Sequence, residues 1–273
     1  MSSPEPHDLS RRGALALLTA GVAGLVAACS RAAQRATPAS SSRAPTAAGS
    51  SAAPTSASPS KPQNPPPFGA AGTSPAVEVA RGSGARPEIA LTFHGAGDPA
   101  LAKQILTTLQ AAGARATVMV IGSWLQANPS LADAIVAGGH ELGNHTWTHP
   151  ALAALPASQM EQEIVSCRDL IAQLTGSYGP FFRQSQGQHA TPAILAAAGQ
   201  AGYPTVLSYD VDSMDWQDPG AAAIRANLQS AKAGSVVSMH FGHSGTAEAL
   251  PGILQDLAAR GLRAVTASQL LSP

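Results

Sequence analysis

From Glu88 onward, short apolar runs rich in β-branched residues alternate with longer stretches whose apolar positions recur at helical spacing. Glu88 to Phe93 predicts a strand. Pro99 to Ala112 predicts a helix, with Leu101, Ile105, Leu106 and Leu109 on one face. A second strand is expected over Ala116 to Ile121, then a helix over Pro129 to Ala137 that stops at Gly138-Gly139, then a short strand over His140 to Asn144. Gln159 to Leu174 reads as a helix whose buried face is Ile164, Cys167, Ile171 and Leu174, with Cys167 a small core residue. The alternation continues with strands at Pro180 to Arg183, Thr205 to Ser208, Ser235 to His240 and Arg263 to Thr266. Helices fall at Pro192 to Ala201, Gly220 to Ala231 and Thr246 to Ala259. Repeated strand-helix units predict a parallel sheet covered by helices, and about seven of them in one compact segment predict an α/β fold, a distorted (β/α) barrel of about seven parallel strands.

Ahead of this segment the pattern changes twice. Residues 1–28 have the parts of an export signal: a charged start at Arg11 and Arg12, an apolar run from Ala14 to Ala28 too short to span a bilayer comfortably, and small residues at its end. Ser10-Arg11-Arg12 resembles a twin-arginine signal, although a pair of arginines is also an ordinary charged start. Leu25-Val26-Ala27-Ala28-Cys29 resembles the lipobox of bacterial lipoproteins, which implies cleavage before Cys29 and lipidation of its thiol. Residues 29–75 are Ala, Ser, Pro and Thr with no hydrophobic period, so they cannot bury a face and suit a disordered tether. Residues 76–273 are then the folded domain. The expected location is the outer face of the cytoplasmic membrane, anchored by lipid.

Charge sharpens this division. The first 75 residues carry six basic and two acidic side chains, and the remaining 198 carry ten and fourteen, so the overall balance of 16 against 16 hides an acidic domain. That excludes a basic nucleic-acid-binding body. Two cysteines, Cys29 and Cys167, exclude a disulfide framework and a Cys-rich zinc module. With 44% hydrophobic residues, disorder of the whole chain is excluded as well.

In a parallel barrel the chemistry collects where strands end, at the C-terminal rim. The informative polar residues fall there: His94 and Asp98 after the first predicted strand, His145 and His149 after the third, Arg183 after the fourth, Asp210, Asp212 and Asp215 after the fifth, and His240 on the sixth. His145 and His149 are four apart, which a helical turn would place on one face, close enough to share an ion. With Asp98 or His94 brought from another strand end they make a three-ligand zinc site with an open position, suited to hydrolysis. Arg183 is expected to pair with Asp215 or with substrate. Trp216 is either core or a platform for a sugar ring. Asp210 and Asp212 read as structural, and His140, His189 and His243 as local hydrogen-bonding groups.

These residues carry a resemblance. Glu88 to Leu271 resembles the NodB-type polysaccharide deacetylases, carbohydrate esterase family 4. Gly143-Asn144-His145-Thr146-Trp147-Thr148-His149 is similar to the family's metal-binding H(S/T)xxH motif. Asp210 to Trp216 resembles the fourth motif, whose Asp-Trp pair (here Asp215 and Trp216) orients catalytic groups and lines the pocket. Ser238-Met239-His240 resembles the fifth, which makes His240 the general acid on the leaving amine. Phe182 to Gly187 keeps the arginine and glycine of the third motif, Arg183 and Gly187, without its prolines.

The first motif departs from the family. Thr-Phe-Asp-Asp-Gly supplies a base and a metal ligand, whereas Thr92-Phe93 is followed here by His94-Gly95-Ala96-Gly97-Asp98-Pro99. The resemblance then implies His94 as base and Asp98 as the displaced ligand beside His145 and His149, with zinc as the ion. It implies removal of acetyl groups from peptidoglycan or a chitin-like glycan. The alternatives are a catalytically decayed glycan-binding lipoprotein on the same fold and an O-acetyl esterase.

Overall fold

The computed structural model describes residues 72 and 74–273. The export signal, Cys29 and nearly all of the tether lie outside the described residues.

Nine strands form one sheet: β1 (Val77–Val79), β2 (Glu88–Gly95), β3 (Thr117–Val120), β4 (Glu141–Asn144), β5 (Phe181–Phe182), β6 (Thr205–Leu207), β7 (Val211–Asp212), β8 (Val236–His240) and β9 (Arg263–Val265). Eight α-helices cover it: α1 (Pro99–Ala111), α2 (Gly122–Ala127), α3 (Ser130–Ala137), α4 (Ala157–Thr175), α5 (Pro192–Gln200), α6 (Ala221–Asn227), α7 (Ser244–Ala259) and α8 (Ala267–Leu271). The strand order is β1-β6-β5-β4-β3-β2-β8-β7, with β9 paired to the base of β2, and every strand pair is parallel. The expected barrel is present, with β1 and β7 as its two unjoined ends. The nine strands exceed the expected seven by β1 and β7, three and two residues long.

The alternation of side chains along the central strands positions the site. On β2, Ile89, Leu91 and Phe93 point out into the layer between sheet and helices. Ala90 instead joins Met119, Leu207, Val236 and Val265 in a separate interior cluster. With a side-chain period of two, Thr92 and His94 share that interior face, and Ser238 and His240 follow Val236 on β8 in the same way. Cross-strand register then pairs Thr92 with Ser238 and His94 with His240. Two histidines that are far apart in the chain therefore emerge side by side at the C-terminal rim.

Candidate active site

The best-built element is a buried carboxylate under a histidine. Asp215 opens a single 3-10 turn over Asp215–Gln217 and is fully buried. Its Oδ2 accepts from the His240 backbone N–H at 2.7 Å and from Thr246 Oγ1 at 2.6 Å, while Oδ1 lies 2.7 Å from His240 Nδ1. Burial pushes this carboxyl up, but the hydrogen bonds and charge of His240, with the Thr246 bond, outweigh it and leave it below its ordinary value. An acceptor on Nδ1 fixes the proton there and turns Nε2 outward as the working nitrogen. Thr246 at the start of α7 was not anticipated, because nothing in a lone threonine marks it as a partner for a carboxylate 31 residues away.

His145 and His149 do converge, with ring centroids 4.9 Å apart. They do so on a loop rather than on the expected helical turn. Thr146 and His149 both take left-handed backbone, φ 68° and 62°. The loop is clamped by Glu163 of α4, whose carboxylate accepts from Trp147 N, Thr148 N and Thr148 Oγ1 at 2.7–2.9 Å. Asn144 Oδ1 accepts from Thr146 N as well. These bonds offset the strain of two non-glycine residues with positive φ. His145 donates Nδ1–H to the Arg183 carbonyl at 3.0 Å, which leaves the lone pair on Nε2, and Nε2 is buried without a hydrogen-bond partner. Burial holds both imidazoles below the ordinary histidine value, so both are neutral near pH 7.

Arg183 is fully buried beneath this cluster. It does not pair with Asp215. Its Nε donates to Leu207 O at 2.6 Å, one terminal nitrogen donates to Thr92 Oγ1 at 2.9 Å and to His94 Nε2 at 3.1 Å, and the other donates to Ser208 O at 3.2 Å. These partners are uncharged, Tyr209 lies under the guanidinium at 5.4 Å, and burial pulls its pKa down to about 10. A guanidinium only donates, so His94 Nε2 is the acceptor and Nδ1 carries the ring proton. Burial, followed by neighbouring His145, His240 and Arg183, holds His94 well below its ordinary pKa. The ring is neutral and its one lone pair is engaged, so this arrangement does not offer the base expected of His94.

Asp98 is also differently employed. It is exposed and caps α1, with Oδ1 accepting from Ala100 N at 2.8 Å ahead of Pro99 at the first helical position. Among the described residues no three His, Cys, Asp or Glu side chains are arranged to hold a metal ion together, so Asp98 does not complete a site with His145 and His149. Gly95, which follows His94 in the altered motif, faces away from the cluster. A Cβ there would meet Val120, Trp124 and Val118 at 3.0–3.2 Å. What fits an ion is the two-histidine cradle: a buried, unpartnered Nε2 on His145, a backbone carbonyl fixing its tautomer, and His149 beside it.

The remaining expectations divide. Trp216 is half exposed at the rim and is not core. Gly187 is exposed, and its carbonyl accepts from Gln184 Nε2 at 3.1 Å. Asp210 accepts from Val236 N and Ser235 Oγ, and Asp212 from Met214 N, so both are structural. His140 accepts from Ala116 N, and His189 lies 3.4 Å from Glu78. The imidazoles form a continuous row, with centroid separations of 4.9 Å for His149 and His145, 4.2 Å for His145 and His94, and 4.4 Å for His94 and His240.

Comparison with known proteins gives this row its context. The polysaccharide deacetylase family model matches residues 81–206. A peptidoglycan-N-acetylglucosamine deacetylase of Bacillus cereus is 35% identical over 188 residues, covering 67% of this chain and 87% of that protein. The chain belongs to the polysaccharide deacetylase family. Among solved structures, a family 4 carbohydrate esterase from Streptomyces lividans in complex with acetate superposes with a TM-score of 0.61 at 32% identity, covering 65% of this chain and 91% of that one. A family pseudoenzyme from Bacillus anthracis superposes with a TM-score of 0.67 at 26% identity, covering 73% and 70%. Within this polysaccharide deacetylase domain, Asp215 with His240 and the histidine pair are assembled, and the sequence departs from the family pattern at the first motif and, by its missing prolines, at the third.

Proposed function

We propose that this chain removes acetyl groups from N-acetylated polysaccharide of the cell envelope. The observation that carries the reading is the Asp215-His240 dyad standing at the same rim as the unpartnered His145 Nε2. His145, through Nε2, and His149 would hold a divalent ion, zinc by the chemistry of imidazole ligands. When bound, such an ion supplies Lewis-acid polarisation of the acetyl carbonyl. The protein's own side chains do the rest. Asp215 keeps the His240 proton on Nδ1, so Nε2 can take a proton from the attacking water and return it to the amine nitrogen as the C–N bond breaks, and acetate and a free amine leave. Arg183 acts from below by engaging His94 Nε2 as an acceptor, which orients that ring beside the reacting group. Trp216 offers an indole face to a sugar ring and Gly187 an open backbone edge.

A second reading, glycan binding without turnover, is favoured by two observations. The His94 lone pair is taken by Arg183, and the Gly95 position is closed against Trp124. One experiment separates the readings. The purified chain, exchanged into zinc, is assayed for acetate release from N-acetylated chitooligosaccharide, peptidoglycan and an O-acetylated glycan, with metal content measured in parallel on wild type and His145→Ala. The first reading expects zinc in wild type, its loss in the variant, and acetate from the N-acetylated substrates. Glycan affinity with no acetate from any substrate would establish binding alone, and release confined to the O-acetylated substrate would make the chain an esterase.

The location is read as the outer face of the cytoplasmic membrane, with a lipidated Cys29 and a tether ahead of the domain. Cys29→Ala is expected to move the chain from the membrane fraction to the soluble fraction. An unchanged distribution would remove the anchor.

A further inference from the structure

Among the described residues four large apolar side chains are exposed, and two of them, Met214 (40%) and Trp216 (50%), lie in one turn at the rim of the site. The turn is stiff. Met214 and Asp218 bracket it with left-handed backbone, φ 56° and 51°, a conformation that aspartate tolerates and methionine does not favour. It is held by Met214 N on Asp212 Oδ1 (2.8 Å), by Asp218 N on Asp215 O (3.0 Å), and by Asn227 Nδ2 on Ser213 O (2.9 Å). Strained backbone persists only where the surroundings over-determine it, and here the result is a fixed apolar edge turned to solvent.

A second histidine-carboxylate pair sits at this edge. His243 Nδ1 lies 2.7 Å from Asp218 Oδ1, repeating Asp215-His240 three residues further along both loops, and the His240 and His243 rings meet edge to face at 5.7 Å. Asp218 is 69% exposed and His243 26%. A pair this open contributes little to stability, so holding the fold together is a poor account of it. With the bond to His243 made, Asp218 Oδ2 and His243 Nε2 remain for hydroxyl groups, and Asp218 closes the same turn that exposes Met214 and Trp216. Hydroxyls on one side and C–H groups on the other describe a pyranose. The site's continuity through His240 makes the neighbouring unit of the same chain the natural occupant.

We propose that Met214, Asp218 and His243 form a subsite for the sugar unit adjoining the one that carries the reacting acetyl group, with Trp216 shared between the two. The inference rests on the glycan reading above. It is tested by calorimetric titration of the full chain with N-acetylated chitooligosaccharides of increasing length, from the monosaccharide upward. Wild type is expected to gain affinity when a second or third unit is added. The double variant Asp218→Ala/His243→Ala is expected to lose about five- to tenfold for the longer ligands, the scale of two lost hydrogen bonds, while affinity for the monosaccharide stays unchanged. Met214→Ser serves as an independent variant at the same surface, with a smaller loss of the same length dependence. Equal affinities of wild type and both variants for every length overturn the subsite, as does a loss that is the same at all lengths. A wild type that binds none of these ligands overturns the glycan reading itself.

Discussion

Replacing Asp215 by Asn is expected to lower acetate release by roughly 10²- to 10⁴-fold, the usual scale of a general acid-base contribution. Three donors converge on this buried carboxylate: the His240 backbone N–H, His240 Nδ1 and Thr246 Oγ1. An amide of the same size has one acceptor oxygen and two N–H donors, so one of its N–H groups must face a donor, or His240 must move its proton from Nδ1 to Nε2. Either way the imidazolium needed for proton delivery loses the charge that stabilises it. The substitution also costs about 1–3 kcal/mol of stability, because a buried donor is left unpaired. That cost depends on pH with a definite sign. The folded-state pKa of Asp215 lies below its unfolded value, so its contribution is fully present above the unfolded carboxylate value and fades as pH falls through the folded one. Denaturant titrations of wild type and variant should therefore differ by a constant amount near neutrality and draw together in strong acid. A gap that is unchanged on acidification, or a variant with wild-type turnover, would remove Asp215 from the mechanism.

Arg183→Met is expected to destabilise the domain by about 3 kcal/mol, a fall in Tm on the order of 10 °C for a domain of this size. Methionine fills much of the volume but leaves Thr92 Oγ1, His94 Nε2, Leu207 O and Ser208 O without their donor. Each lost partner at a buried acceptor is unfavourable, and relief from burying a guanidinium offsets only part of the sum. Arg183→Lys should recover less than half, since one ammonium cannot reach acceptors arranged around a planar fork. The same variants release His94, so nitrogen NMR of its ring should show the Nδ1–H form in wild type and a mixture of tautomers in Arg183→Met. Wild-type stability in Arg183→Met, or a wild-type His94 spectrum, would mean that this bond does not govern the ring.

Much of the candidate site was legible because the residues concerned sit where a predicted strand gives out. His145, His149, Arg183, Asp215 and His240 all lie at such ends, and the structure gathers them. What could not be read was which of them touch. Arg183, whose place at a strand end suggests a pair with Asp215 or with substrate, instead holds His94, 89 positions away in the chain. That choice follows from strand order and from β2 lying in register with β8, and neither is encoded locally. Asp98 could have been read differently from local signals alone. An aspartate directly before a proline that opens a helix is a capping signature, and the capping bond is what the structure contains. The loop carrying His145 and His149 gave no such warning, because its shape depends on Glu163, a helix residue with no mark of its role.

The sequence by itself determined the parallel α/β architecture, the long helices and central strands to within a residue or two at most ends, and the set of chemical groups at the rim. Apolar period and strand-end position are local quantities, and they survive in one dimension. The tertiary structure alone decided the protonation and partnership of those groups. It made His94 an acceptor for a buried guanidinium, left His145 Nε2 unpartnered, and set a second histidine-carboxylate pair beside the first. Those outcomes depend on burial and on contacts across strands, where water is excluded and the state of each ring is fixed by the neighbour that reaches it first.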